Sequence, residues 1–356
     1  MNKNKISHSF INKGKILFQN FRRLFTKKKC SAFNVSANNK KIECIEKIYV
    51  INLDRQPNRY NRVQSEFSKI MDTSRNRLTN ILERVTAVDA INLEQDAPID
   101  NINSKYTLGE QLFVDPCQAL PKDLNLDMNI NMSKQEIAVA LSHIKVWKKI
   151  ASGTESYALV IEDDICLHPN FSSLMEESWK ELIKKETKGN LFDILFLSFK
   201  EVDLGAEKVA FTESTFKLFR GIWYMSGYVL SKEGASKLIE MLPLRGPVDL
   251  WINHKFDQLT ALMIKKSIIP QRSDEASVNF YSVLPILSQI GVLNDGSPSV
   301  FKNKPTTLPV FAIGKESDKL TSLSMALSML GFRCCSDLFE LPKDEKNSLI
   351  KNLSDR

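Results

Sequence analysis

The sequence predicts an α/β fold: a single, largely parallel sheet flanked by helices. Two observations carry this. Lys47-Ile48-Tyr49-Val50-Ile51-Asn52-Leu53 and Ala158-Leu159-Val160-Ile161 are apolar runs rich in β-branched residues, as expected of strands buried on both faces. Between and after them, apolar residues recur at helical spacing, so strand and helix patterns alternate along the chain.

In chain order, residues 1–44 read as a basic tail and linker, with the Asn/Lys-rich stretch 30–41 as the linker proper. The folded body is expected over 45–295, starting near Ile45. After the first strand, Asp54-Arg55-Gln56-Pro57 turns the chain, and Pro57 suits a first helical position. Tyr60, Val63, Phe67 and Ile70 then mark one face of a helix. Leu82 to Val88 reads as a second strand, and residues 92–132, with Pro98, Pro116 and Pro121, as a long irregular loop. Ser133 and Glu136 have the spacing of a capping box for a helix running to Ile150. The strand at Ala158 follows, then a helix near 171–186, strands at Phe192–Phe199 and Ile222–Leu230, and a helix opened by Ser231 that stops at Pro243. Residues 296–309 read as a Pro/Ser/Lys/Thr-rich linker and 310–356 as a short strand–helix segment.

The net charge of +7 is unevenly placed. Residues 1–41 hold eleven Lys or Arg and no Asp or Glu, so the rest of the chain is net negative. That excludes a nucleic-acid surface spread over the body. Six cysteines without CxxC or zinc spacing exclude a disulfide scaffold and point to a reducing compartment. Cys166 reads as a small core residue inside a strand. Four widely spaced His residues offer no His-based metal site, and no apolar stretch is long enough for a membrane span. Phe10, Leu17, Phe21, Leu24 and Phe25 recur at helical spacing among Lys and Arg, which suits an anionic membrane surface. A disordered tail and an acid-free targeting sequence share that composition. The expected location is cytoplasmic, peripheral on the cytoplasmic membrane face.

The chemistry concentrates at Glu162-Asp163-Asp164, where an apolar strand runs straight into three carboxylates. Ligands of open α/β sheets bind at that carboxyl edge. Three adjacent charges repel one another unless a cation shares the site. Mn²⁺ and Mg²⁺ are hard cations that prefer such oxygens, usually with substrate phosphates completing the shell. A solvated acidic turn is the plain alternative.

Four segments in series resemble glycosyltransferase family 25, which includes bacterial lipopolysaccharide and lipooligosaccharide glycosyltransferases and procollagen galactosyltransferases. They are Ile48 through Asp54-Arg55-Gln56-Pro57-Asn58-Arg59, Glu136 through Ser142-His143 to Trp147, Ala158 through Asp164, and Gly227 through Gly234 to Pro247-Val248-Asp249. The resemblance implies a GT-A-like, Rossmann-type fold, a UDP-sugar donor, a hexose transferred to a glycan or lipid-linked acceptor, and inversion at the sugar carbon. It assigns metal ligation to Asp164 with Glu162, and leaves Asp163 to the sugar or ribose. It places Asp54, Arg55 and Arg59 beside the nucleotide, where Arg can pair a phosphate or stack on a base. It gives Ser142 and His143 a donor-site role, against which stands the reading of His143 as a satisfied core histidine. Asp249 is the candidate general base for the acceptor hydroxyl, with an N-cap as its structural alternative and Glu233 and Asp257 behind it. Family members often have Gly before the Glu and Gly-Cys after it. This chain has Gln135 and Ala138-Val139, which puts the donor identity in question.

Two other function classes compete. Nucleotidyl or phosphoryl transfer would need a Gly-rich phosphate loop, and Asp54-Arg55-Gln56-Pro57 is not one. A catalytically degenerate binding or adhesion module would have no use for the three acids. Separately, Phe311-Ala312-Ile313-Gly314 with Thr321-Ser322-Leu323 resembles the opening of a sulfotransferase-like P-loop fold. Its loop, Lys315 to Leu320, lacks the glycine and carries two acids, so it reads as a truncated remnant without a second activity.

Removing residues 1–41 is expected to abolish sedimentation with anionic liposomes, since each basic residue near the surface contributes roughly 1 kcal/mol. Equal sedimentation of the full and shortened chains at low and high salt would refute the membrane reading.

Overall fold

The computed structural model of the chain describes residues 28–35, 44–93, 100–116, 124–185, 190–272 and 281–289. The basic segment before Lys28, the linker at 296–309 and the sulfotransferase-like segment lie outside the described residues.

The chain forms β1 (Ile45–Asn52), α1 (Pro57–Phe67), β2 (Leu82–Thr86), α2 (Leu108–Val114), α3 (Lys134–Ser152), β3 (Tyr157–Glu162) and α4 (Phe171–Lys185). It continues through β4 (Ile194–Phe196), β5 (Glu207–Ala210), β6 (Thr215–Arg220), β7 (Gly227–Ser231), α5 (Lys232–Glu240), α6 (Val248–Asn253), β8 (Ala261–Ile264) and α7 (Leu284–Gln289). Among the described residues one sheet of eight strands has the order β5-β6-β8-β4-β7-β3-β1-β2. Helices flank it, the GT-A-like α/β architecture that was expected.

The sheet is mixed, not largely parallel. β1 runs parallel to β2 and β3, and β4 to β8, but β7 is antiparallel to both β3 and β4, and β6 to both β8 and β5. A parallel neighbour needs a crossover helix. Between β4 and β7 the chain instead makes the hairpin β5–β6, so β7 returns antiparallel into the middle of the sheet. The hairpin is hard to see in sequence because most of Glu207–Ala210 is exposed and carries no apolar run.

The period of two along the strands sorts side chains to opposite faces. Ile48, Val50, Leu159, Ile161 and Val229 point to one side, where α1 and α4 add Val63, Phe67, Met175 and Trp179. Tyr49, Ile51, Val160 and Tyr228 point to the other, where α3, α5 and α6 add Trp147, Ile150, Leu238 and Trp251. Local signals acted as read. Pro57 opens α1, and Ser133 and Glu136 close the capping box of α3. Ser231 Oγ caps α5 by accepting from Gly234 N–H at 2.9 Å. Gly234 is required there, because a Cβ would sit 2.3 Å from the Asp193 carbonyl oxygen.

Three further expectations change. Residues 28–35 are not linker: Lys28–Lys29 pair in parallel with Ile70–Met71, and Cys30, Ala32 and Phe33 are fully buried on the α1/α4 side. Their polar neighbours hide a short apolar anchor. Residues 92–132 are not all irregular: Lys105–Thr107 pairs antiparallel with Asn129–Asn131, and Thr107 with Glu110 forms a capping box for α2. Cys166 lies beyond β3 and is partly exposed, since the strand stops at Glu162.

Because residues 28–35 belong to the body, the shortened chain for the liposome comparison has to be cut before Lys28 and not after residue 41. Phe33→Ala, which empties the space against Phe171 (ring centroids 6.3 Å apart), is expected to destabilise by about 3–5 kcal/mol. Denaturant unfolding checks this, and a silent substitution would return the segment to the tail.

Candidate functional site

The register of three strands builds the site. β1 and β3 pair Ile51 with Glu162, so Asn52 and Asp163 leave the sheet side by side. β7 pairs Gly227 with Ile161, so the residues entering it, Tyr224 to Ser226, meet the same edge, where Ser226 O accepts the Glu162 N–H at 3.0 Å.

The three acids are held in three different ways. Glu162 Oε1 accepts from His143 Nε2 at 3.3 Å. His143 Nδ1 lies 2.9 Å from the Tyr228 hydroxyl, which is 2.9 Å from Trp147 Nε1. Tryptophan only donates, so the tyrosine proton goes to Nδ1 and the imidazole proton sits on Nε2, facing Glu162. All three supporting rings are buried. Asp163 accepts from Asn52 Nδ2 at 2.6 Å and from Arg59 Nη1 at 3.3 Å. Burial raises its pKa against those two partners. Asp164 has a buried Oδ1 with no hydrogen-bond partner. Burial, then Glu162 and Asp163, hold its carboxyl well above the usual carboxylate range, with Arg59 opposing.

On one side of the acids lies a charged cluster. Arg84, which sequence reasoning missed, donates to Asn52 Oδ1 at 2.7 Å and to Asp54 Oδ1 at 2.6 Å. Arg55 pairs with Asp89 at 2.7 Å and keeps that carboxyl below its ordinary range. Asp54, Arg55, Arg59 and Asp163 thus share this edge. Ser142 does not reach it. Its buried hydroxyl donates to Ala138 O and accepts from Val88 N–H, tying α3 to the chain after β2. His143 is also fully buried, and it meets the site only through Glu162.

On the other side is a cleft lined by Glu136, Glu162 and Asp249, with Val139, Met225 and Val248 between them and Tyr224 and Tyr281 on its walls. Asp249 is in the first turn of α6, but Pro247 is the N-cap. Asp249 Oδ2 accepts from Tyr224 N–H at 3.4 Å. Burial raises its pKa, and the charge of Glu162 adds to this. Glu136 accepts from Ser133 N–H with Oε2 and from Ser282 N–H with Oε1, and burial pushes it up to about 7. Glu233 and Asp257 are exposed and line no part of this cleft. Tyr224 has φ +76°, rare for a bulky side chain. No sequence signal marks it, or Tyr281, as part of a site, whereas Asn52 and Glu136 stood inside motifs already noted.

Asp164 Oδ1, an unpaired buried carboxylate oxygen beside Glu162, fits an oxygen-seeking divalent cation. Among the described residues no group of three or more His, Cys, Asp or Glu could hold a metal ion. Such a cation would therefore draw on these two carboxylates and on ligands from a bound molecule.

With this geometry described, comparison with known proteins gives a consistent answer. Glycosyltransferase family 25 (LPS biosynthesis protein) matches residues 45–252. A glycosyltransferase 25 family member of Aedes aegypti is 27% identical over 216 residues, covering 60% of this chain and 31% of that protein. A probable inactive glycosyltransferase 25 family member 3 of Bos taurus is 27% identical over 217 residues, 60% of this chain and 32% of the other. The inactive glycosyltransferase 25 family member 3 of Homo sapiens is 26% identical over 215 residues, again 60% and 32%. The chain spans about a third of the length of these curated relatives.

Tyr228→Phe is expected to destabilise the protein by about 1–3 kcal/mol, because it leaves Trp147 Nε1 and His143 Nδ1 buried without their partner. Denaturant unfolding with an unchanged m-value checks it. A change within error would mean that the ring stack alone holds His143.

Proposed function

The chain belongs to glycosyltransferase family 25, and from that premise we propose that it transfers a hexose, galactose or glucose, from a UDP-sugar to a glycan or lipid-linked acceptor such as lipopolysaccharide, with inversion. The observation that carries the reading is the placement of acids: a three-carboxylate turn at the sheet edge, whose Glu162 lines a cleft that a separate carboxylate, Asp249, reaches from another element.

In this reading Asp54, Arg55 and Arg59 lie beside the nucleotide, with Asp163 toward the sugar or ribose. Asp164 and Glu162 would hold Mn²⁺ or Mg²⁺, which when bound supplies positive charge against the departing diphosphate. Asp249 takes the proton of the acceptor hydroxyl as that oxygen bonds to the anomeric carbon and the bond to UDP breaks. Its raised pKa makes it the stronger base. His143 holds Glu162 in place, and Ser142 holds α3 against the chain after β2. The basic residues before Lys28 suit an anionic cytoplasmic membrane face, where a lipid-linked acceptor would be presented. Among the described residues no helix is long and apolar enough to cross a membrane.

A second reading has one observation in its favour: several relatives, the Bos taurus and Homo sapiens proteins among them, are named inactive or probable inactive. In that case the chain is a silent binding module. UDP release from a panel of UDP-sugars, with and without Mn²⁺, separates the two. Asp164→Asn is expected to abolish release while the fold survives, since a lost ligand of this kind removes several kcal/mol, on the order of a full catalytic contribution. Asp249→Asn is expected to cut transfer by roughly 10²–10⁴-fold while UDP and metal affinity hold. Wild-type transfer by the Asp249→Asn variant would place the base elsewhere.

A further inference from the structure

Tyr281 lines the cleft but has no task in the reaction just proposed. It is carried on a strap, residues 281–289, fastened to the body in two ways. Ser282 N–H donates to Glu136 Oε1 at 2.9 Å, and Ser282 Oγ lies 2.8 Å from the Tyr106 hydroxyl. Val283 and Leu287 then bury in the core on the α3 side. Those contacts fix the origin of the Tyr281 side chain and leave its ring partly exposed in the cleft wall.

Glu136 does more than its capping box demands. A capping box needs one side-chain oxygen and is served as well by Gln as by Glu. Here Oε2 serves the cap, through Ser133 N–H, and Oε1 serves the strap. An amide has a single acceptor oxygen and would turn its NH₂ toward one of the two N–H groups. The carboxylate is thus what allows one side chain to hold both α3 and the strap.

Tyr224 shares the cleft with Tyr281. Its backbone is left-handed, at φ +76°, and its N–H is tied to Asp249. Two tyrosines, Asp249 and the side chains of Val248 and Met225 make a wall with apolar faces and polar edges. A pyranose has the complementary shape, with a C–H face that packs on a ring and hydroxyls at its rim. Building on the glycosyltransferase reading of this cleft, we infer that Tyr281 and Tyr224 form the subsite for the acceptor's terminal sugar, and that Glu136 is the positioning residue that holds Tyr281 there through Ser282.

The test uses the full chain at pH 8, where Glu136 is ionised, with methyl β-galactoside, methyl β-glucoside and methyl α-mannoside as probes. Saturation-transfer NMR reads glycoside binding, and calorimetry reads UDP with Mn²⁺. At least one glycoside should receive saturation at its ring protons. Tyr281→Ala and Glu136→Gln should each weaken that glycoside by about tenfold, the size of one ring-stacking contact, while UDP affinity holds. Tyr281→Phe should keep the glycoside, and Tyr281→Leu, which retains bulk without a ring, should lose it even if the Ala variant folds poorly. Absence of transfer to all three glycosides, or transfer indifferent to Tyr281, overturns the subsite. Unchanged glycoside affinity in Glu136→Gln makes Glu136 a helix cap only and overturns its positioning role, and so does an equal loss of UDP and glycoside, which marks general damage to the fold. Failure of the unaltered chain to bind UDP overturns the donor reading instead, and is read in a separate measurement.

Discussion

Three carboxylates in a row at the end of a buried strand are the constraint around which this fold is arranged. Each unit charge within about 4 Å of another costs several kcal/mol at the effective dielectric of a protein edge, and the chain cannot move the charges apart. The neighbouring elements relieve that repulsion one acid at a time. The end of β1 and the start of α1 supply Asn52 and Arg59 to Asp163. α3 supplies His143 to Glu162, and β7 supplies the tyrosine that orients the imidazole. Nothing in the described protein pairs with the buried oxygen of Asp164. The partners come from four elements, so the order of the strands and the site are parts of one solution.

His143 shows how a core role and a functional role can coincide. It is a satisfied, fully buried histidine, as expected of a His on an apolar helix, and it cannot touch a bound nucleotide. Its second nitrogen nonetheless reaches the acidic turn. Trp147, Tyr228 and His143 form a directional chain in which the indole, which can only donate, determines where every later proton lies. The result is a donor pointed at Glu162, which leaves that carboxylate's position defined without removing its charge. Ser142, one residue earlier on the helix, turns to a different side and spends its hydroxyl on the backbone. The Ser-His pair therefore divides into a packing residue and an orienting one.

Local features were legible in the sequence because their physics is local. Pro57, the Ser133–Glu136 box and Ser231 act within one turn of helix, and the strands at Ile45 and Tyr157 carry their burial in their own composition. What was not legible depends on partners far along the chain. Asn52 meets Asp163 only through the parallel register of β1 and β3. Tyr224 enters the site because β7 inserts antiparallel, and its positive φ lies three residues before that strand begins. Glu136 reads as a cap from its neighbours three residues away, and its bond to Ser282 spans 146 positions. The anchor at Cys30 to Phe33 was hidden for another reason: a few apolar residues in a polar, basic stretch give no periodicity to detect.

The environments of the acids also bear on whether the domain performs chemistry. Pairs of carboxylates whose surroundings differ mark acid–base assignments. Asp163 spends both oxygens on Asn52 and Arg59, which oppose the upward push of burial on its pKa. Asp249 is half-buried, held by backbone N–H groups and repelled by Glu162, so it gains by accepting a proton. A module that only binds would be more stable with Asn or an apolar residue in place of either Asp249 or Asp164, because both charges cost folding energy where they stand. Keeping two such carboxylates at one edge, one oriented toward an open cleft and one unpaired, makes sense when a ligand brings in the missing charge and proton. That places the cost of the site in the folded, unliganded protein and its return in the complex.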